Sequence, residues 1–118
     1  MKNEFLPYDR ALKLEQLGFD EPCIATHGYL ELYINTDDGH LKAPLFQQAF
    51  RWFREKHGIM HRLTSYAFGY QIHLDNTADF DFEFVDRRYD SGIDYKTYEE
   101  AELACLDKLI EIVESKNK

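Results

Sequence analysis

The stretch Thr97-Tyr98-Glu99-Glu100-Ala101-Glu102-Leu103-Ala104-Cys105-Leu106-Asp107-Lys108-Leu109-Ile110-Glu111-Ile112-Val113 constrains the fold more than any other, because it can be little except a capped amphipathic helix. Thr97 is placed to accept from the amide of Glu100 while the Glu100 carboxylate reaches back to the amide of Thr97, a reciprocal box that satisfies two orphan donors. Glu99, Glu100 and Glu102 lie toward the positive end of the helix dipole, and Lys108 and Lys116 toward the negative end. None of these residues forms a reactive constellation, so the segment speaks for architecture and not for chemistry.

Two further helices share one grammar. Pro7 suits a first helical position, Tyr8, Ala11, Leu12, Leu14 and Leu17 recur at helical spacing, and Gly18 followed by Phe19 supplies a left-handed stop with its apolar companion. Pro44 opens a second segment with Phe46, Ala49, Phe50 and Phe53 on one stripe, ended by Gly58 and Ile59. No fixed period links the two, so they are not an internal repeat.

Between these helices the sequence predicts strands at residues 23–26 and 29–35, joined tightly at His27-Gly28, with Leu30, Leu32 and Ile34 alternating against Tyr29, Glu31 and Tyr33 and with Asp37-Asp38-Gly39 closing the pair. A second hairpin is expected where Tyr66, Phe68, Tyr70, Ile72 and Leu74 share one face, residues 75–79 turn, and Phe80, Phe82 and Phe84 return; Gln71, His73, Asp81 and Glu83 then face water. Residues 87–95 have the turn chemistry of a surface loop. The order αββαββα points to an α+β fold, a two-layer sandwich of four mostly antiparallel strands with helices on one face. At 118 residues the chain fits a single domain, residues 1–118.

Charge and cysteine content narrow the function classes. With 14 Lys and Arg against 22 Asp and Glu, the net charge of -8 disfavours phosphate backbones and anionic membrane surfaces, so no direct nucleic-acid or membrane binding is expected. No apolar run suits a signal peptide or a membrane span, which places the expected site of action in the cytoplasm. Cys23 and Cys105 stand far apart with no CxxC or Cys/His spacing, and in a reducing compartment they read as two small buried side chains.

Catalytic and metal-binding grammar is thin. His57 and His61 straddle the stop at Gly58, where His57 serves as a cation near a helix C-terminus and His61 as a loop residue; with His27, His40 and His73 they form no ligand spacing, and no metal is expected. Asp79, Asp81 and Glu83 fall on an exposed face, where carboxyl pKa values stay close together and charge guards an edge instead. Asp86, Asp90 and Asp94 lack the glycine and the terminal glutamate of a calcium loop. No phosphate loop, nucleophile elbow or dinucleotide fingerprint occurs, and no cofactor is expected. Gly69, inside the expected strand, marks a bulge or a close approach.

One segment departs from the acidic average: Arg51-Trp52-Phe53-Arg54-Glu55-Lys56-His57, with Arg62 beyond it. If Phe46, Ala49, Phe50 and Phe53 face the core, then Arg51, Trp52, Arg54, Lys56 and Arg62 form a patch able to hold an anion or a carboxylate-bearing partner. The competing reading puts Trp52 in the core with cations snorkelling over it.

The segments Leu17-Gly18-Phe19-Asp20-Glu21-Pro22-Cys23, Ala43-Pro44 with Gln48-Ala49-Phe50-Arg51-Trp52-Phe53-Arg54-Glu55-Lys56, and Tyr98-Glu99-Glu100-Ala101-Glu102-Leu103-Ala104-Cys105-Leu106 with Lys108-Leu109-Ile110 resemble a group of small phage- and prophage-encoded proteins, also found in genomes of Bacteroides-type gut bacteria. No activity or site residue is attached to that group. The resemblance implies a setting, a bacterial cytoplasm and a mobile element, in which small non-enzymatic proteins act by binding a host or phage component.

The expectation is therefore a non-enzymatic protein-interaction or adaptor module with a protein partner, in one version a homodimer. The 15% aromatic content, including eight tyrosines, exceeds what a core of this size must hide. The alternatives are a protein that sequesters a nucleotide-like anion on the basic patch and, last, an acidic DNA mimic. An enzyme would need His73, Asp81 and Glu83 to meet in a cleft.

Overall fold

The computed structural model describes residues 4–36, 38–66, 69–76, 88–90 and 95–116. It is α+β, with helices α1 (Tyr8–Gln16), α2 (Phe46–His57) and α3 (Tyr98–Lys116) and strands β1 (Ala25–His27), β2 (Leu32–Ile34), β3 (Leu41–Lys42), β4 (Ile59–Tyr66), β5 (Gly69–Asn76) and β6 (Arg88–Asp90). The chain divides into two compact units, Met1–Ala49 and Phe50–Lys118.

In the first unit α1 follows Pro7 and ends as its glycine predicts. Gly18 adopts φ 102°, its amide donates to the Glu15 carbonyl, and the Phe19 amide donates to the Leu14 carbonyl, the paired bonds of a Schellman stop. Leu14 and Phe19 are both buried. β1 is the central strand of a three-stranded antiparallel sheet, β2-β1-β3, with Ala25 opposite Ile34, His27 opposite Leu32, and Leu41 opposite His27 on the other edge. One face gathers Phe5, Ala25 and Ala43, with Leu32, Ile34 and Leu45 packed against them, and α1 lies against β3. Phe5 bridges to Leu45, and the Leu6 amide donates to the Pro44 carbonyl at 2.9 Å.

In the second unit α2 ends at Gly58, whose φ of 67° releases the chain straight into β4. β4, β5 and β6 form an antiparallel sheet in that order, with Ile59 opposite Asn76, Leu63 opposite Ile72 and Tyr66 opposite Gly69. α3 packs on β5 and β4 and buries Ala101, Cys105, Leu106, Leu109, Ile110 and Val113. Its N-terminus is capped by Thr97, whose hydroxyl oxygen accepts from the Glu100 amide at 3.1 Å, one limb of the expected box.

Two strand expectations are corrected. Among the described residues the strands form two three-stranded sheets in place of the single four-stranded sheet expected, and β3 and β6 enter them as short edge strands. Runs this brief are too short to display a period, and they are held by pairing with a neighbour distant in sequence. The strand expected to run unbroken through Tyr66, Tyr70 and Leu74 is the hairpin of β4 and β5, with Gly69 at φ 146°, a conformation that side chains other than glycine's resist. β4 escapes the pattern because His61 occupies a position between Ile59 and Leu63 where an apolar residue would have shown the alternation. The return arm expected at Phe80, Phe82 and Phe84 lies outside the described residues.

Candidate functional site

The basic segment sits on the C-terminal half of α2 and on β4. Arg51, Arg54, Lys56 and Arg62 are exposed. Trp52 is not part of that surface: it is 4% exposed and lies edge-on to Phe53 (5.0 Å between ring centres) and to His57 (4.8 Å). Of the two readings of this indole the core one holds, and the cationic face has lost the aromatic anchor it was expected to carry. His61 is also corrected, from a loop residue to a strand residue whose ring stacks on Phe50 at 3.9 Å and 15°. Burial and, second, the charge of Arg54 push its imidazole down to about 4, so it is neutral at physiological pH.

The other candidates do not assemble into a reactive centre among the described residues. His73 is buried on β5, whereas Asp79, Asp81, Glu83, Asp86 and Asp94 lie outside the described residues. Among the described residues no group of three or more His, Cys, Asp and Glu is placed to hold a metal ion. Cys105 is fully buried, and burial, then Glu102, pushes its thiol up to about 12. Cys23 is half-buried, and its thiol is pushed up to about 11, by burial first, with Lys42 opposing and Glu21 assisting. Both shifts favour the protonated thiol at neutral pH.

The structure instead brings together a surface in the first unit that sequence reasoning missed. The chain leaves β1 through a tight turn in which the Gly28 amide donates to the Glu31 carbonyl at 2.7 Å. That turn holds Tyr29 at 88% exposure and Leu30 at 98%. The Tyr29 ring stacks on His40 at 4.3 Å, and Nε2 of His40 is hydrogen-bonded to the Tyr8 hydroxyl at 2.7 Å. Tyr8 meets His27 edge-on at 5.6 Å, and His27 Nε2 lies 2.8 Å from the Leu6 carbonyl oxygen. A carbonyl only accepts, so His27 Nε2 is the donor in this contact. Leu12, one helical turn after Tyr8, extends the exposed stripe.

His40 is held there by backbone. Its amide donates to the His27 carbonyl, and the Gly39 amide donates to Thr26 Oγ1, each at 2.9 Å. Thr26 Oγ1 in turn donates to the Thr36 carbonyl at 3.1 Å. Thr36, Gly39 and His40 are thus each tied to β1. The Tyr8, His40, Tyr29 and Leu30 tip escaped notice because residues 29–35 alternate well enough to pass for one strand, which would have placed Leu30 beside Leu32 and Ile34. The signal that could have exposed it is Tyr29-Leu30, two adjacent large side chains directly after Gly28.

Comparison with protein-family models, curated proteins and solved structures finds no match. Among the described residues no helix is long and apolar enough to cross a membrane.

Proposed function

We propose that this chain is a non-enzymatic protein-interaction module, acting in a bacterial cytoplasm and encoded by a mobile element, with the turn at Tyr29 and Leu30 as its main contact surface. One observation carries the reading: two large side chains, 88% and 98% exposed, sit on a turn whose backbone is hydrogen-bonded shut and whose tyrosine is braced by His40 and Tyr8. Rigid, exposed aromatic side chains lose little entropy on contact, which is why tyrosine recurs at interface hot spots. The exposed Arg51, Arg54, Lys56 and Arg62 support a second reading, in which an anionic ligand or an acidic partner binds α2 and β4.

The two readings separate in one comparison. The chain and its Tyr29→Ser/Leu30→Ser and Arg51→Glu/Arg54→Glu variants are immobilised, and the proteins each retains from a lysate of the natural host are compared. The interaction reading expects a partner kept by the parent and lost by the tip variant. Identical retention by parent and tip variant refutes it. A thermal shift with a nucleotide panel, abolished by the arginine variant alone, shifts the conclusion to anion binding; a ligand at a hundred times its dissociation constant stabilises by about 2.7 kcal/mol.

A further inference from the structure

The chemistry of the tip narrows what lies on it, taking the interaction reading as the starting point. Tyr29 has one ring face on His40 and remains 88% exposed, so its other face is open to solvent. An open tyrosine face attracts cations through its quadrupole, and a planar guanidinium stacks on it better than an ammonium.

Charge on the surrounding chain has the complementary sign. Residues 28–40 contain Glu31, Asp37 and Asp38 and no Lys or Arg. Glu31 belongs to the same turn as Tyr29 and Leu30, and Asp38 precedes His40 by two residues; both are exposed. Their field is felt locally. The Tyr33 hydroxyl, which donates to the Glu31 carboxylate at 3.4 Å, is held above its ordinary range by the Glu31 charge first, then by burial and that hydrogen bond, with Asp38 the smallest contributor. Two cations of this unit have acceptors of their own: Arg10 pairs with Asp9 at 2.7 Å, and Lys42 Nζ donates to the Asp20 carbonyl at 2.7 Å. An anionic membrane, a nucleic acid or an acidic peptide would meet like charge here.

We infer that the Tyr8, His40, Tyr29 and Leu30 tip is the docking surface for a cationic polypeptide segment of another protein. An arginine of that segment stacks on the open face of Tyr29, Glu31 and Asp38 neutralise it, and Leu30 receives an apolar residue beside that arginine. The carboxylates set the sign of the partner, and the apolar pair supplies the buried area.

The test is a titration of the full, isotopically labelled chain with three synthetic peptides, Gly-Arg-Leu-Arg-Leu-Gly and its lysine and glutamate counterparts, followed by amide chemical shifts. The expected result is a set of saturable shifts at residues 8–12, 28–31 and 38–40 with the arginine peptide, weaker binding with lysine and none with glutamate. Glu31→Gln/Asp38→Asn, which keeps side-chain shape, weakens the arginine peptide about tenfold. Raising the salt concentration weakens it as well. Shifts spread equally over the acidic first turn of α3 (Glu99, Glu100) mean unspecific attraction to negative charge and overturn the inference, as does the absence of shifts at the tip. Concentration-dependent self-association abolished by Leu30→Ser assigns the tip to a second copy and overturns it too. If the peptides leave the tip untouched while the tip variant still loses its partner from the lysate, the interaction reading stands and only the cationic occupant falls.

Discussion

Gly39→Ala should uncouple the tip from β1, and its cost follows from the close packing around Gly39. A Cβ built on Gly39 would sit 2.5 Å from the His27 carbonyl oxygen, 2.7 Å from its carbon and 2.7 Å from Thr26 Oγ1, where ordinary contact begins at 3.4 Å. Two of the three atoms are backbone of the central strand and cannot swing aside, so the loop must lift. Lifting it stretches the bonds from the Gly39 amide to Thr26 Oγ1 and from the His40 amide to the His27 carbonyl. Overpacking costs about 1–3 kcal/mol and each lost hydrogen bond about 0.5–1.5 kcal/mol. Because the clash is relieved by breaking those same bonds, the terms overlap, and about 2–3 kcal/mol is the expected loss. Gly18→Ala is the control: a Cβ there meets nothing within 4 Å, although φ is 102°, so only backbone strain of about 1 kcal/mol is expected. Urea denaturation followed by circular dichroism measures both. In Gly39→Ala the amide resonances of His40 and Tyr29 should also shift. A loss below about 0.5 kcal/mol, or a larger loss in Gly18→Ala than in Gly39→Ala, refutes the steric argument.

His61 makes stability depend on pH with a definite sign. Folding lowers its pKa from 6.5 to about 4, so the unfolded chain binds the extra proton, and stability present above pH 6.5 is lost as pH falls toward 4. After allowance for the ring's partial solvent access the amount is about 1–2 kcal/mol; urea midpoints across that range should fall less steeply in His61→Gln, and parallel slopes refute the assignment. Thr97→Ala removes the oxygen that accepts from Glu100 and should cost about 1 kcal/mol in the same assay, with Thr97→Ser restoring most of it. The two thiols, pushed up to about 11 and about 12, should react with a disulfide reagent at neutral pH far more slowly than in the urea-unfolded chain; rapid labelling of Cys105 in the native protein contradicts its burial.

What the sequence made legible divides along the range of the interactions involved. Helices declare themselves locally: Gly18 with Phe19 and Gly58 with Ile59 specify left-handed exits, and Thr97 with Glu100 specifies an entry, because each device acts within one or two turns. Strands are legible only where alternation persists. β3 and β6 exist because β1 and β5 offer them hydrogen bonds, a cause that no short window contains. His61 masked β4 because stacking on Phe50 lets an imidazole occupy an inward strand position, and a hydropathy pattern does not register that. Trp52 was ambiguous for a similar reason: an indole beside three cations looks like a hot spot until Phe53 and His57 are seen to cover it. The tip was invisible as a site because its parts, Tyr8, Tyr29 and His40, are separated by 21 and 11 positions (29 − 8 and 40 − 29) and meet only after β1, β2 and β3 have paired.

The central claim is that Tyr29 and Leu30 are displayed for a partner and contribute almost nothing to the fold that displays them. The unfolding free energy of Tyr29→Ser/Leu30→Ser measures this directly. At 88% and 98% exposure, the two truncations should leave it within about 0.5 kcal/mol of the parent. A loss above about 2 kcal/mol would mean that both side chains are buried in the folded protein, and the account of the tip as an open contact surface would be wrong.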